Sequence, residues 1–340
     1  MHTRPMNQRS STALGIGLVG VGRHGSRYVQ HLLHDLPEAA LTAICRKSGS
    51  GSYSGTDVPV YHDYHAMIAD PRVEAVVIVT PPSLCHSICL TAVAAGKAVL
   101  VEKPLAVNGQ EARAMVAAAA QRGVTLMTAQ TMRFDPTILL LREQLRAIGP
   151  LTSATLISHI DTKANTLLGS GGPVPLGALL ELGVHLLDLI RFLTGEEILD
   201  VECTMSPAPG AGPETRVQAQ VRTSTGILFH LHIARVESQR QGRAELTGGK
   251  GKITADWVTR TLTRTTTDGV SYTRTLESHP TILSTLQAFI RAVRTRTPPP
   301  ITGIDGCRAV EAADACYRSA AQHGAVVRCA YGAEHCDPSD

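Results

Sequence analysis

The stretch Leu14-Gly15-Ile16-Gly17-Leu18-Val19-Gly20-Val21-Gly22-Arg23-His24-Gly25 decides how the amino-terminal part of the chain folds. Its first half is a short apolar run, the pattern of a strand buried in a parallel sheet. Its second half is G-x-G-x-x-G, and residues 26–35 that follow carry helical period. In the order strand, turn, helix, the first glycine permits the tight turn, the second lets backbone approach a pyrophosphate, and the third lets helix pack closely on strand. The anion then rests on exposed helix amides. Gly20, Gly22, Arg23, His24 and Gly25 are therefore candidate cofactor contacts.

Working outward, strand patterns at residues 41–45, 75–79, 98–101 and 124–128 alternate with helical patterns at 65–69, 83–95 and 110–122. Repeated strand–helix units of this kind build a parallel sheet. After Asp135-Pro136 the character changes to one helix and then threonine- and valine-rich alternating runs at 217–222, 227–235 and 258–266, with turn residues at 223–226, 248–251 and 268–269. Helices return at 284–295 and 305–323 around Pro298-Pro299-Pro300. The expected fold is α/β: an N-terminal Rossmann parallel sheet over residues 1–133, then a C-terminal α+β domain over 134–330 built on a large, mostly antiparallel open sheet. A length of 340 residues suits two such domains. Residues 1–12 and the segment after Cys329 are expected to be poorly ordered tails.

A net charge of +3 gives no electrostatic case for a nucleic-acid partner. The most apolar helix candidate, 178–193, is interrupted by Glu181, His185, Asp188 and Arg191, so no membrane span is expected. Eight cysteines without a paired C-x-x-C point to a reducing, cytoplasmic setting rather than a disulfide framework. Cys85 and Cys89, four apart with His86 between, read as buried helix cysteines, and no metal is assigned.

The second strand ends Ile44-Cys45-Arg46-Lys47-Ser48, with no carboxylate between Glu38 and Asp57. A fold of this type that prefers NAD commonly places Asp or Glu there to bind the adenosine ribose hydroxyls. Two cations and a hydroxyl instead suit a 2′-phosphate, so Arg46, Lys47 and Ser48 favour NADP, with NAD the weaker expectation. The alternative is a solvated loop pair.

Val101-Glu102-Lys103-Pro104 follows the strand at 98–101, with Thr80-Pro81-Pro82 upstream and Met132-Arg133-Phe134-Asp135-Pro136 downstream. With these motifs the chain resembles, nearly end to end, the Gfo/Idh/MocA oxidoreductase family of glucose-fructose oxidoreductases and inositol dehydrogenases. The resemblance implies a catalytic group made of Lys103, Glu181 and His185, the last two matching a family Asp-x-x-x-His pair on a helix at 177–195. Residues four apart share a helical face, so Glu181 and His185 can couple, and a carboxylate beside an imidazole raises its basicity. It also implies Thr80, Pro81, Pro82, Glu102, Lys103 and Gln130 as cofactor contacts, and Lys103, Asn165, Glu181, His185 and Asp188 as substrate contacts. Asp188 has a second reading, pairing with Arg191. The segment 163–177 is expected to cover the pocket.

Departures from the family pattern are Glu181 for Asp, Tyr28 and Cys85 at positions often occupied by histidine, and Gln130-Thr131 before the Arg-Phe pair. The implied activity is hydride transfer between NADP and a secondary alcohol or ketone of a sugar, nucleotide-sugar or cyclitol. Alternatives within the resemblance are reduction of a C=N bond, cofactor-assisted glycoside cleavage, and a non-catalytic NADP-binding regulator. The resemblance further implies a homodimer or homotetramer through the C-terminal sheet. His230 and His232, alternating on one strand, read as surface or interface residues.

Overall fold

In the computed structural model, the described residues are 13–47, 53, 56–161, 176–207, 210, 212–236 and 240–331. Both expected tails lie outside them, apart from residues 330–331, and so does 163–175 of the expected cover segment. The chain clusters into two compact units. The first comprises Met1–Leu105, Ala114–Ala129 and Ile282–Gly303; the second comprises Ala106–Arg113, Gln130–Thr281 and Ile304–Asp340.

The first unit carries β1 (Leu14–Val19), α1 (Gly25–His34), β2 (Ala39–Cys45), β3 (Val60–Tyr61), α2 (Tyr64–Ala69), β4 (Ala75–Ile78), α3 (Pro82–Ala94) and β5 (Ala98–Glu102). Helix α4 (Gly109–Arg122) leads into β6 (Leu126–Ala129). The six strands pair in parallel in the order β3-β2-β1-β4-β5-β6. Strands β1, β4, β5 and β6 are buried along their whole length, which is why they read as continuous apolar runs rather than alternating ones. Chain order reverses between β1 and β4, and the glycine turn leaves the carboxyl end of β1, where open parallel sheets bind ligands.

The second unit contains α5 (Pro136–Gln144), β7 (Leu151–Asp161), α6 (Val184–Thr194), β8 (Ile198–Ser206), β9 (Arg216–Thr223), β10 (Leu228–Val236), β11 (Gln241–Gly248), β12 (Gly251–Asp256), β13 (Thr261–Thr266) and β14 (Ser271–Thr275). Helix α7 (Thr281–Thr295), which belongs to the first unit from Ile282 on, leads to α8 (Gly303–Ala321) and β15 (Val327–Arg328), the second unit resuming at Ile304. The nine-stranded sheet runs β14-β13-β12-β11-β7-β10-β9-β8-β15, antiparallel except for the β7–β10 pair. Along β9 and β10, Val217, Ala219, Val221, Phe229, Leu231 and Ile233 are buried in alternation and join the core with Leu186, Leu187 and Ile190 of α6. His230 and His232 lie on the opposite, half-buried face.

The strand expected over 258–266 starts late, and strand β3 was not expected. The former begins only at Thr261, because Asp256 accepts amide hydrogen bonds from Val258 and Thr259 and Arg260 turns the chain at φ 59°. Strand β3 has only two residues, too few to show a period.

Candidate active site

The glycine turn of the first unit is shaped as the motif demands. Gly20 has φ +95°, and a Cβ there would lie 2.3 Å from the Val79 carbonyl oxygen. A Cβ on Gly25 would lie 1.9 Å from the Gly20 oxygen, so the start of α1 closes directly on the turn. Gly22 is the opposite case: a Cβ there would meet nothing within 4 Å. Two glycines thus make the turn while the middle one faces open space, which fits a backbone that a pyrophosphate approaches. Thr80, Pro81 and Pro82 leave β4 and start α3, and Cys85 is buried beneath them with its sulfur 3.6 Å from the Thr80 hydroxyl.

Glu102 ends β5 and is 8% exposed. Its Oε1 accepts from the Tyr28 hydroxyl at 2.5 Å and pairs with His24 Nε2 at 2.7 Å; its Oε2 accepts from the Lys103 backbone N–H at 2.9 Å. Burial pushes this carboxyl up, but hydrogen bonding and charge from His24, the charge of Lys103 and the Tyr28 bond together bring it below the ordinary glutamate value. Burial and the neighbouring Glu102 push the Tyr28 phenol well up, so it stays a donor. Two expected cofactor contacts, His24 and Glu102, therefore bind each other and tie Lys103 to the glycine turn. Tyr28 completes this anchor; the sequence marked it only as a departure from histidine.

At the end of β2, the Arg46 guanidinium lies 6.0 Å from the Tyr53 ring centroid, and its backbone pairs with Tyr61. Lys47 is exposed, and Ser48 lies outside the described residues. Asp63, the nearest acidic residue to follow β3, is committed to capping α2 through the His65 amide.

In the second unit, the expected helix at 177–195 is entered through a π turn, Leu179–Gly183, before α6 begins. Glu214 pins this entry: its backbone oxygen accepts from Ala178 N–H at 2.8 Å, and its Oε1 accepts from Leu179 N–H and the Tyr317 hydroxyl, both at 2.9 Å. A Cβ on Gly177 would collide with that carboxylate. Nothing in the sequence flagged Glu214, an isolated acid in a loop.

Glu181, on the π turn, has one carboxylate oxygen bound by two nitrogens of Arg235 on β10, Nε at 2.6 Å and a terminal NH2 closer still. His185 Nδ1 lies 3.0 Å from Gln130 Oε1, and Gln130 is 1% exposed. Gln130, expected as a cofactor contact, is thus placed against the imidazole. Asp188 is 2% exposed and gripped by the Arg133 fork at 2.5 and 2.8 Å, so its partner is Arg133 and not Arg191. With both oxygens engaged and the side chain buried, the geometry speaks for a structural anchor rather than the substrate contact expected. Arg191 instead binds Glu197 and shares Asp305 with Arg133. Burial opposes the Arg133 cation, and Asp188 and Asp305 outweigh it, holding the guanidinium charged. Asn165 lies outside the described residues.

On the sheet face of His230 and His232, burial lowers the pKa of His159 of β7, with His232 and Arg216 adding to the effect. Among the described residues no group of three His, Cys, Asp or Glu is arranged to hold a metal, and no helix is long and apolar enough to cross a membrane.

Comparison with known proteins identifies the class. Residues 14–130 match the oxidoreductase family with NAD-binding Rossmann fold of the Gfo/Idh/MocA group, and residues 149–254 match the Gfo/Idh/MocA C-terminal domain. The chain belongs to the Gfo/Idh/MocA oxidoreductase family. It is 27% identical to the myo-inositol 2-dehydrogenase of Thermotoga maritima over 86% of this chain and 91% of that one. To the rhizopine catabolism protein MocA of Rhizobium meliloti it is 31% identical over 59% of this chain, an alignment that spans 63% of that protein. The scyllo-inositol dehydrogenase of Lactobacillus casei, solved with NAD(H) and scyllo-inositol, shares the fold with a TM-score of 0.77 at 22% identity, over 93% of this chain and 99% of that one.

Proposed function

We propose that the chain is an NADP-linked dehydrogenase or reductase acting at a secondary alcohol or ketone of a sugar, nucleotide-sugar or cyclitol. The observation that carries this is the anchoring of Lys103: its amide is held by Glu102, which is held by His24 of the glycine turn, so the lysine is fixed to the loop suited to a pyrophosphate. The inositol dehydrogenases among the relatives support the substrate class. Arg46 and Lys47, with no acidic residue at the end of β2, support NADP.

A bound nicotinamide dinucleotide supplies or accepts the hydride. In the oxidation direction, His185 takes the hydroxyl proton as the carbon gives up its hydride, and the Lys103 ammonium stabilises the charge that develops on that oxygen. In reduction Lys103 polarises the carbonyl and His185 returns the proton. The second unit's sheet is proposed as the surface through which copies of the chain assemble.

The test is a panel of myo-inositol, scyllo-inositol, aldoses and UDP-N-acetylglucosamine, assayed for reduction of NADP and of NAD, with dissociation constants for both dinucleotides. Turnover with at least one polyol and tighter binding of NADP are expected. Tighter binding of NAD removes the cofactor assignment, and dinucleotide binding without turnover on any of these removes the substrate class.

A further inference from the structure

We propose that Gln130 is the positioning residue of His185: its side-chain carbonyl fixes the imidazole as the Nδ1–H tautomer, leaving Nε2 as the nitrogen that takes and returns the substrate proton. This deepens the function proposed above and rests on it for the role of His185. The two atoms lie 3.0 Å apart, and an amide oxygen only accepts, so the imidazole nitrogen facing it must be the donor. In a neutral ring one nitrogen carries the proton and the other the lone pair, so a bond that protonates Nδ1 assigns the lone pair to Nε2.

The contact is built rather than incidental. Gln130 is buried, and its backbone oxygen accepts from Arg133 N–H at 3.0 Å, starting the tight turn Thr131–Phe134. The Arg133 side chain then crosses to Asp188 on α6, three residues beyond His185. Positions 130 and 133 therefore clamp positions 185 and 188, an i, i+3 pair on one helical face. The buried Arg133–Asp188 fork fixes the backbone of the turn against α6, which brings the Gln130 carbonyl within reach of the imidazole. This assigns Asp188 a purpose its burial otherwise leaves unexplained.

Glu181, four residues before His185, has its charge countered by the two Arg235 nitrogens. An amide oxygen orients an imidazole without adding charge. A carboxylate in its place would both orient the ring and stabilise its protonated form.

Nitrogen-15 spectroscopy of the full-length chain labelled at histidine reads the tautomer without any substrate. The His185 signals are assigned by their loss in His185→Ala, and folding of each variant is checked by the signals of the other histidines. Expected are an Nδ1–H tautomer for His185 in the unaltered chain, its loss in Gln130→Leu, and in Gln130→Glu a titration midpoint raised by about 1 to 3 pH units. An Nε2–H tautomer in the unaltered chain overturns the proposal, as does an unchanged tautomer in Gln130→Leu or an unmoved midpoint in a folded Gln130→Glu. Should Gln130→Leu fail to fold, the unaltered chain and Gln130→Glu still decide. A wrong tautomer removes the role of Gln130 alone, whereas undiminished turnover in His185→Ala removes the functional reading on which it rests.

Discussion

Gly22 and Gly25 sit three residues apart in one motif, yet their surroundings set opposite demands. A methyl group on Gly25 collides with the Gly20 carbonyl, while one on Gly22 meets only open space. Gly25→Ala is expected to lower stability by about 1–3 kcal/mol, the usual range for overpacking, seen as a lower urea midpoint. Gly22→Ala should leave that midpoint in place and weaken dinucleotide binding, measured by fluorescence titration. A Gly22→Ala chain that unfolds early but binds normally contradicts this division of labour. Glu102 gives a pH prediction. Its folded pKa lies below the ordinary value, so its contribution to stability is full above about pH 4.3 and is lost as pH falls through the lowered folded value. Urea midpoints of the unaltered chain should therefore drop more steeply than those of Glu102→Gln on acidification below about pH 4.3; parallel curves count against the anchor. At this scale the sequence showed residue types but not partners. Lys103, Glu181 and His185 stood out by motif, whereas the pairings Gln130–His185, Arg235–Glu181 and Arg133–Asp188 join residues 54 or 55 positions apart, a separation no local pattern encodes.

Helix α6 and its entry show what is gained at the scale of elements. Capping is ordinary at its end, where Gly195 takes a left-handed conformation at φ 75°. Its start is not ordinary, because the π turn carries Glu181 and is tied down by Glu214 from a distant loop. Single π turns are rare and recur at functional sites, where they re-aim side chains. Glu214→Ala leaves the buried Leu179 amide and the Tyr317 hydroxyl without their acceptor, at a cost of about 1–3 kcal/mol. Hydrogen exchange should quicken at Leu179–Gly183 before the rest of the unit, and Glu214→Gln, which keeps an acceptor, should exchange more slowly than Glu214→Ala. Equal protection in all three chains removes the anchoring role. The helical period at 177–195 was legible, but a π turn changes hydrogen-bond register without changing composition. The strand expected over 258–266 starts late, at Thr261, for a related reason: Val258 and Thr259 are β-branched and fit a strand, and the Asp256 side chain overrides them with a turn.

For the whole molecule, the alternation of strands and helices and then of threonine-rich strands was enough to foresee a parallel sheet followed by a mostly antiparallel one. Sheet order was not, since neither the central place of β7 nor its parallel pairing with β10 leaves a mark in either strand. Nor was the membership of Ile282–Gly303 in the first unit, because a chain that leaves a unit and returns shows no break in composition. The family match covers residues of both units, 14–130 and 149–254. The most direct measurement is the rate of NADP reduction with the best polyol for the unaltered chain, Lys103→Ala and His185→Ala, each first shown to bind NADP. A fall of about 10²–10⁴ in both variants with binding retained is the expected result; near-unaltered turnover in either contradicts the proposed acid–base assignment.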